Sequence, residues 1–179
     1  MVVRTLPSVR EATSSERGAI ERIVVRSMEE YRAADPAVHE GYVTYSLGPD
    51  HADGGEWLVA EHDGRIVGTV LFHERATARP TWPPTAATFQ TLAVDPTLRR
   101  RGIGRLLMEA CIERARQSGA TSVIIETLPW LTAAERVYGP VGFVRWPEGD
   151  WDGTPLLRRL LGDRDAPSTM LSAWRVDLE

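Results

Sequence analysis

The sequence predicts a mixed α/β fold, a central sheet flanked by helices. Three observations carry that prediction. Residues 56–74, EWLVAEHDGRIVGTVLFHE, form two β-rich runs around Asp63-Gly64, a favoured two-residue hairpin turn. Residues 85–127 read strand, helix, strand, which requires a parallel crossover. The second of those strands, TSVIIET, is a near-continuous apolar run of the kind covered on both faces.

The elements follow in order. VREAT, Val9 to Thr13, reads as a short first strand. Thr13 and Glu16 have the spacing of a capping box. Ile20, Ile23, Val24, Met28 and Tyr31 then recur at helical intervals, so a helix is expected over about Ser14–Arg32. A shorter helical segment follows Pro36, around Ala37 to Tyr45, and HADGGE after it reads as a loop. The hairpin comes next, then the breaker-rich ARPTWPP. TAATFQTLAVDP is a fourth strand stopped at Pro96. Ile103, Leu106, Leu107, Ala110 and Cys111 share one helical face, and Arg105, Glu109, Glu113 and Arg116 lie off it. Gly119 ends that helix. Thr132 and Glu135 repeat the capping-box spacing, which predicts a helix starting near Ala133 and ending at Gly139-Pro140. VGFVRW is a strand. Residues 147–168 form a loop with a helical turn at Leu156–Leu161, and TMLSAWRVDL closes as the last strand.

The 179 residues suit one domain, expected to span 1–179. Hydrophobic residues make up 42% and charged residues 26%, enough to bury a core without staples. The single cysteine, Cys111, cannot form an internal disulfide, which fits a reducing, cytoplasmic setting. No segment reads as a signal peptide or a membrane span, so no membrane partner is expected. The net charge of -4 and a pI near 5.6 argue against a nucleic-acid partner. His39, His51, His62 and His73 are scattered without metal-ligand spacing, so no metal is expected and each histidine reads as surface or strand filling.

Against this acidic background the stretch VDPTLRRRGIGRLLMEACIERAR, Val94 to Arg116, concentrates Arg99, Arg100, Arg101 and Arg105 around Gly102 and Gly104 at a strand-to-helix junction. A helix N-terminus carries unsatisfied N–H groups and a partial positive charge. Glycine removes the Cβ atoms that would keep an anion off the backbone. The combination suits a pyrophosphate. A Walker loop is excluded, because Arg105 follows Gly104. So is the dinucleotide fingerprint, because Leu107 stands where its third glycine is required.

The arrangement Arg99-x-x-Gly102-x-Gly104 after LAVDP resembles the CoA-pyrophosphate motif of the GNAT superfamily of acyl-CoA-dependent N-acyltransferases. VIIETLPWLTAAERVYGPVGFVRW resembles that family's second signature, ending in Tyr138-x-x-x-Gly142-Phe143, and VREATSSERGAIERIV is similar to its first strand and helix. The likeness covers nearly the whole chain and weakens after Trp146. It implies a mostly antiparallel central sheet, helices on both faces, and strands splayed where acetyl-CoA lies. It further implies that Arg99, Arg100, Arg101, Gly102, Ile103, Gly104 and Arg105 bind the pyrophosphate. Leu92, Ala93 and Val94 would pair with the pantetheine arm, with the N–H near Val94 polarising the thioester carbonyl.

The implied activity is acetyl transfer from acetyl-CoA to a primary amine, of a small molecule in preference to a peptide N-terminus or lysine. Tyr138 stands where the family's general acid stands. Its ordinary pKa of ~10 against ~8.5 for a thiol makes proton transfer to the departing thiolate reasonable without large tuning. The fourth-strand carboxylate of many relatives is missing, since that segment carries Gln90. Glu126 is then the best candidate base. A second departure is Leu131, where many relatives have an asparagine. Plainer readings stand beside these: Tyr138 as core filling, Glu126 as the partner of an arginine, and the arginine run as a solvated helix start. Asp150, Asp152, Asp163 and Asp165 are candidates to attract a cationic amine. Trp82, Trp130, Trp146 and Trp151 either line the acceptor pocket or pack. A CoA-binding sensor without turnover and an RNA-associated protein are the rival functions, and the final strands offer an edge for a homodimer.

Overall fold

In the computed structural model of the chain, residues 6–32, 36–76, 79, 81–129, 131–161 and 168–179 are described. Trp130, Asp163 and Asp165 lie outside them. The strands are β1 (Ser8–Glu11), β2 (Glu56–His62), β3 (Arg65–His73), β4 (Ala86–Val94), β5 (Ser122–Thr127), β6 (Val144–Arg145), β7 (Trp151–Asp152) and β8 (Met170–Asp177). Helices are α1 (Arg17–Met28), α2 (Pro36–Leu47), α3 (Pro49–Ala52), α4 (Ile103–Gln117), α5 (Thr132–Tyr138) and α6 (Thr154–Leu161).

The sheet runs β1-β2-β3-β4-β5-β8-β6, with β7 also on β8. Among these pairings only β4 with β5 is parallel. The hairpin turn has positive φ at both Asp63 (50°) and Gly64 (70°), the geometry of a type I′ turn. Alternation along β2 sends Leu58 and Ala60 to one face and Val59 to the other. The first face packs with Leu107, Met108 and Cys111 of α4, and the second with Ile20, Ile23 and Val24 of α1. Helices therefore cover both faces. Cys111 is fully buried in this packing, and burial pushes its thiol pKa up, so it acts as a small hydrophobe.

Local signals explain most boundaries. Thr13 and Glu16 do form the capping box, at the head of a 3₁₀ turn leading into α1. At the end of α4, the Gly119 N–H bonds the Arg116 carbonyl and the Ala120 N–H bonds the Ala115 carbonyl. With Gly119 at φ 76° this is a Schellman stop. Two expectations change. HADGGE is not all loop, because Pro49 at the first position of α3 draws His51 and Ala52 into a helical turn. Nor does the second capping box form as read: α5 starts at Thr132 itself, and Leu131 occupies the cap position without a side-chain bond. The outer side of β8, expected as a free pairing edge, is partly taken by β6 and β7.

Two irregularities open the site. First, β4 and β5 pair only at Ala86–Ser122 and Ala87–Val123; beyond these β4 stays on β3 and β5 on β8. Second, the β3–β4 register slips between Thr69–Ala93 and Leu71–Gln90, so Thr91 and Leu92 together oppose Val70. Thr91 takes φ 51° in this bulge.

Candidate active site

A cavity of about 560 Å³ occupies the gap between the parted strands. Phe89 through Val94 of β4 and Ile125 and Glu126 of β5 line it, together with residues from α1, α2, α3 and α6. Its depth comes from the sheet itself. Where two strands stop pairing, their facing side chains and backbone groups border a crevice beyond the strand ends.

At one end stands the N-terminus of α4. Gly102 is its cap residue, at φ 80°, and no side chain caps the helix. The first intrahelical bond comes from the Leu106 N–H to the Gly102 carbonyl, at 2.9 Å. The preceding amides are the orphan donors of a helix start. Gly104 has ordinary φ, and a Cβ there would meet only Val94, at 3.8 Å. Neither backbone nor packing requires a glycine at that position. A bare backbone facing a cavity does suit the close approach of a phosphate, and this is the observation that fits the residues to CoA.

Of the arginines around this end, Arg99, Arg100 and Arg105 line the cavity and Arg101 does not. Arg99 is committed elsewhere, bonding Glu30 at 2.6 Å and the Ser27 carbonyl at 3.0 Å. Arg105 pairs with Glu109 along α4, at 2.7 Å. Arg100, at φ 60°, has no ion-pair partner among the described residues. Gly102, Ile103 and Gly104 all border the cavity.

Tyr138, at the end of α5, also lines the cavity, yet it is only 6% exposed. Its ring lies 6.1 Å from Phe143 and 5.6 Å from Trp174. Burial raises its pKa well above that of a free phenol, and a hydrogen bond with Thr127 works against that rise. The environment thus tunes this hydroxyl more strongly than the sequence suggested. It is a held, neutral phenol and also part of the core.

Glu126 projects into the cavity wall with both oxygens engaged. Arg79 Nη2 donates to Oε1 at 3.2 Å, and the Trp151 Nε1–H donates to Oε2. The Arg79 guanidinium lies 3.7 Å from the Trp151 ring centroid and 6.0 Å from that of Trp82. Trp82 donates to the Gly149 carbonyl at 3.0 Å. Trp82, Trp146 and Trp151 stand behind the cavity rather than in its lining. Gln90 and Leu131 do line it.

His51 corrects the sequence reading. It is neither surface nor strand filling, because α3 turns it into the cavity. Its Nε2 lies 3.0 Å from the Thr91 hydroxyl, and its ring centroid 4.5 Å from that of Tyr45. Burial, with a smaller contribution from His73, lowers its pKa to about 4. Pro49 was the one local signal that could have found this helical turn. Asp150 and Asp152 are also corrected. Asp150 bonds Arg145 at 2.5 Å and accepts from the Ala173 N–H, and Asp152 accepts from the Thr154 N–H at the start of α6. Both are structural, and neither lines the cavity. Among the described residues no helix is long and apolar enough to cross a membrane, and no group of three His, Cys, Asp or Glu side chains is placed to hold a metal.

Residues 19–143 match the sequence model of the Acetyltransferase (GNAT) family. YjgM, an uncharacterized N-acetyltransferase of Escherichia coli (strain K12), is 27% identical over 145 residues, 76% of this chain and 81% of that protein. The structure is similar to that of the PaiA N-acetyltransferase from Thermoplasma acidophilum in complex with coenzyme A. The TM-score there is 0.69 at 11% identity, covering 97% of this chain and all of the other. It is also similar to yncA from Salmonella typhimurium with its cofactor acetyl-CoA. That TM-score is 0.63 at 17% identity, covering 98% of this chain and 95% of the other. A mixed sheet parted beside an uncapped, glycine-opened helix start is therefore matched by family membership over most of the chain: this protein belongs to the GNAT acetyltransferase family and is an acyltransferase.

Proposed function

We propose that the protein transfers the acetyl group of acetyl-CoA to the primary amine of a small molecule. The observation that carries this reading is the open start of α4, where Gly104 serves no need of the fold and faces the gap between β4 and β5. The amides of Ile103, Gly104 and Arg105 receive the pyrophosphate, and Arg100 and Arg105 add positive charge. Leu92, Ala93 and Val94 offer backbone groups to the pantetheine arm, with an N–H of the bulged strand directed at the thioester oxygen.

Acetyl-CoA supplies a carbonyl carbon that gains a bond to nitrogen and loses its bond to sulfur. Burial makes Tyr138 a weaker acid than a free phenol, but the same burial acts on a thiolate formed beside it, so its hydroxyl proton passes to the departing sulfur. An amine of pKa ~10.4 enters mostly protonated and must lose a proton before it attacks. Glu126 is the carboxylate on the wall that takes it. Arg79 and Trp151 already donate to its oxygens, so water competes for the same role. Glu126→Gln therefore lowers the rate most at the acid end of the pH profile; an unchanged profile assigns the proton to water.

Thiol release from acetyl-CoA across a panel of primary amines tests the activity. The absence of a β4 carboxylate, together with the engaged state of Glu126, favours a second reading, in which the protein binds CoA as a sensor. Calorimetric binding of CoA without thiol release from any amine supports that second reading. No binding at millimolar CoA removes both.

A further inference from the structure

We infer that the acceptor is a primary amine carrying a single positive charge on an apolar body, and that polyamines and lysine-rich peptides are excluded. The inference rests on the acetyl-transfer reading and narrows it to a substrate class. Its basis is the part of the cavity lining contributed by α2, α3, α6 and β8. Tyr42 and Tyr45 of α2, His51 of α3, Leu128 after β5, Leu156 of α6 and Leu171 of β8 converge there. These come from several separate elements, and all are apolar or aromatic.

The charges around the wall point the same way. Among the described residues two carboxylates line the cavity, and each already has an arginine: Glu126 has Arg79 at 3.2 Å, and Glu30 has Arg99 at 2.6 Å. Asp150 and Asp152 are turned into structural bonds elsewhere. The polar groups on the wall stay neutral near pH 7. Burial drives the His51 pKa down to about 4 and the Tyr42 pKa up to about 12. One ammonium can shed its proton, through Glu126 and on to solvent, and leaves the Glu126–Arg79 pair balanced. A second ammonium on the same molecule would have to be buried beside the Glu126–Arg79 pair, with no described carboxylate left to balance it. An apolar body meets side chains that bury it without an unsatisfied partner.

The test ranks 2-phenylethylamine and hexylamine against spermidine and an N-acetyl-dilysine amide, both multiply charged, by thiol release from acetyl-CoA. Expected is a kcat/KM at least about tenfold higher for the two apolar amines. Spermidine or the dilysine peptide matching them overturns the inference. Binding of the same amines to the protein–CoA complex, measured by calorimetry, provides a readout independent of turnover. If no amine releases thiol, the acetyl-transfer reading fails, and the binding order still decides the chemistry of the chamber. Leu156 is partly exposed, so Leu156→Glu places a carboxylate on the wall with little cost to folding. It is expected to weaken phenylethylamine and strengthen spermidine while CoA affinity stays unchanged. CoA affinity retained with the amine order unchanged overturns the assignment of this wall.

Discussion

Thr91 holds φ 51° although its β-branched side chain disfavours that region, at a cost on the order of 1–3 kcal/mol. Its neighbour across the cavity wall, His51, meets its hydroxyl at 3.0 Å. This pair makes stability depend on pH. The folded-state pKa of His51, about 4, lies below its ordinary 6.5, so the unfolded chain binds the proton more readily between those values. The associated stability is complete above pH 6.5 and is lost as pH falls towards 4. Burial lowers His73 too, which adds to the loss in the same direction. For His51 alone the loss from pH 8 to pH 5 amounts to about 2 kcal/mol. Urea unfolding at the two pH values measures it, and His51→Gln should lose distinctly less than the wild type. An equal loss in both proteins refutes the assignment. Tyr138 makes a separate prediction. Phenylalanine keeps the ring contacts with Phe143 and Trp174 and removes the proposed acid. Turnover should fall roughly 10²-fold or more, with CoA affinity nearly unchanged. Unaltered turnover would leave Tyr138 only its packing role.

At the scale of elements, the two glycines that open α4 serve different ends, and substitution separates them. Gly102→Ala should cost about 1–2 kcal/mol, because φ 80° is strained for any residue with a Cβ, although nothing lies within 4 Å to clash. Gly104→Ala should leave the melting temperature nearly unchanged, since its new Cβ meets only Val94 at ordinary distance, and should still weaken CoA. If Gly104→Ala loses stability instead, the fold needs that glycine and the ligand argument weakens. The same contrast explains what the sequence disclosed. The start of α4 is local: Arg99 to Arg105 is one strand–turn–helix segment, so a glycine-opened helix start ringed by arginines could be read from spacing, and its proposed CoA role came from the family resemblance. The proposed acceptor chamber is not. Arg79 reaches Glu126 across 47 positions, and His51 reaches Thr91 across 40. Arg79 came from a stretch that reads only as a breaker, and His51 from one that reads as a loop. The plainer expectation that Glu126 partners an arginine agrees with the structure, but no spacing rule could name which arginine. Nor could it show that Asp150 and Asp152 would be spent on Arg145 and on α6.

Across the whole molecule, the sheet is two antiparallel halves, β1–β4 and β5–β8, whose direct ladder is confined to Ala86–Ser122 and Ala87–Val123. What else joins them is mainly packing: Leu107, Met108 and Cys111 of α4 share one core with Phe72 of the first half and Val123 and Ile125 of the second. A ligand lying in the gap touches β4 on one side and β5 on the other, so binding restrains the two halves together. Any ligand that binds only the folded state adds RT ln(1 + [L]/Kd), about 2.7 kcal/mol at a hundredfold excess over Kd. For a chain of this length each kcal/mol moves the midpoint by about 2–4 °C, so saturating CoA should raise it by roughly 5–10 °C. Thermal unfolding with and without CoA measures the shift. Gly104→Asp, which sets a carboxylate against the pyrophosphate, should unfold at nearly the same temperature as the wild type alone and show no shift with CoA. Leu156→Glu, on α6 rather than α4, should show the full shift. An equal shift in Gly104→Asp would mean that CoA binds away from the start of α4. That result would remove the gap between β4 and β5 as the place of acetyl transfer.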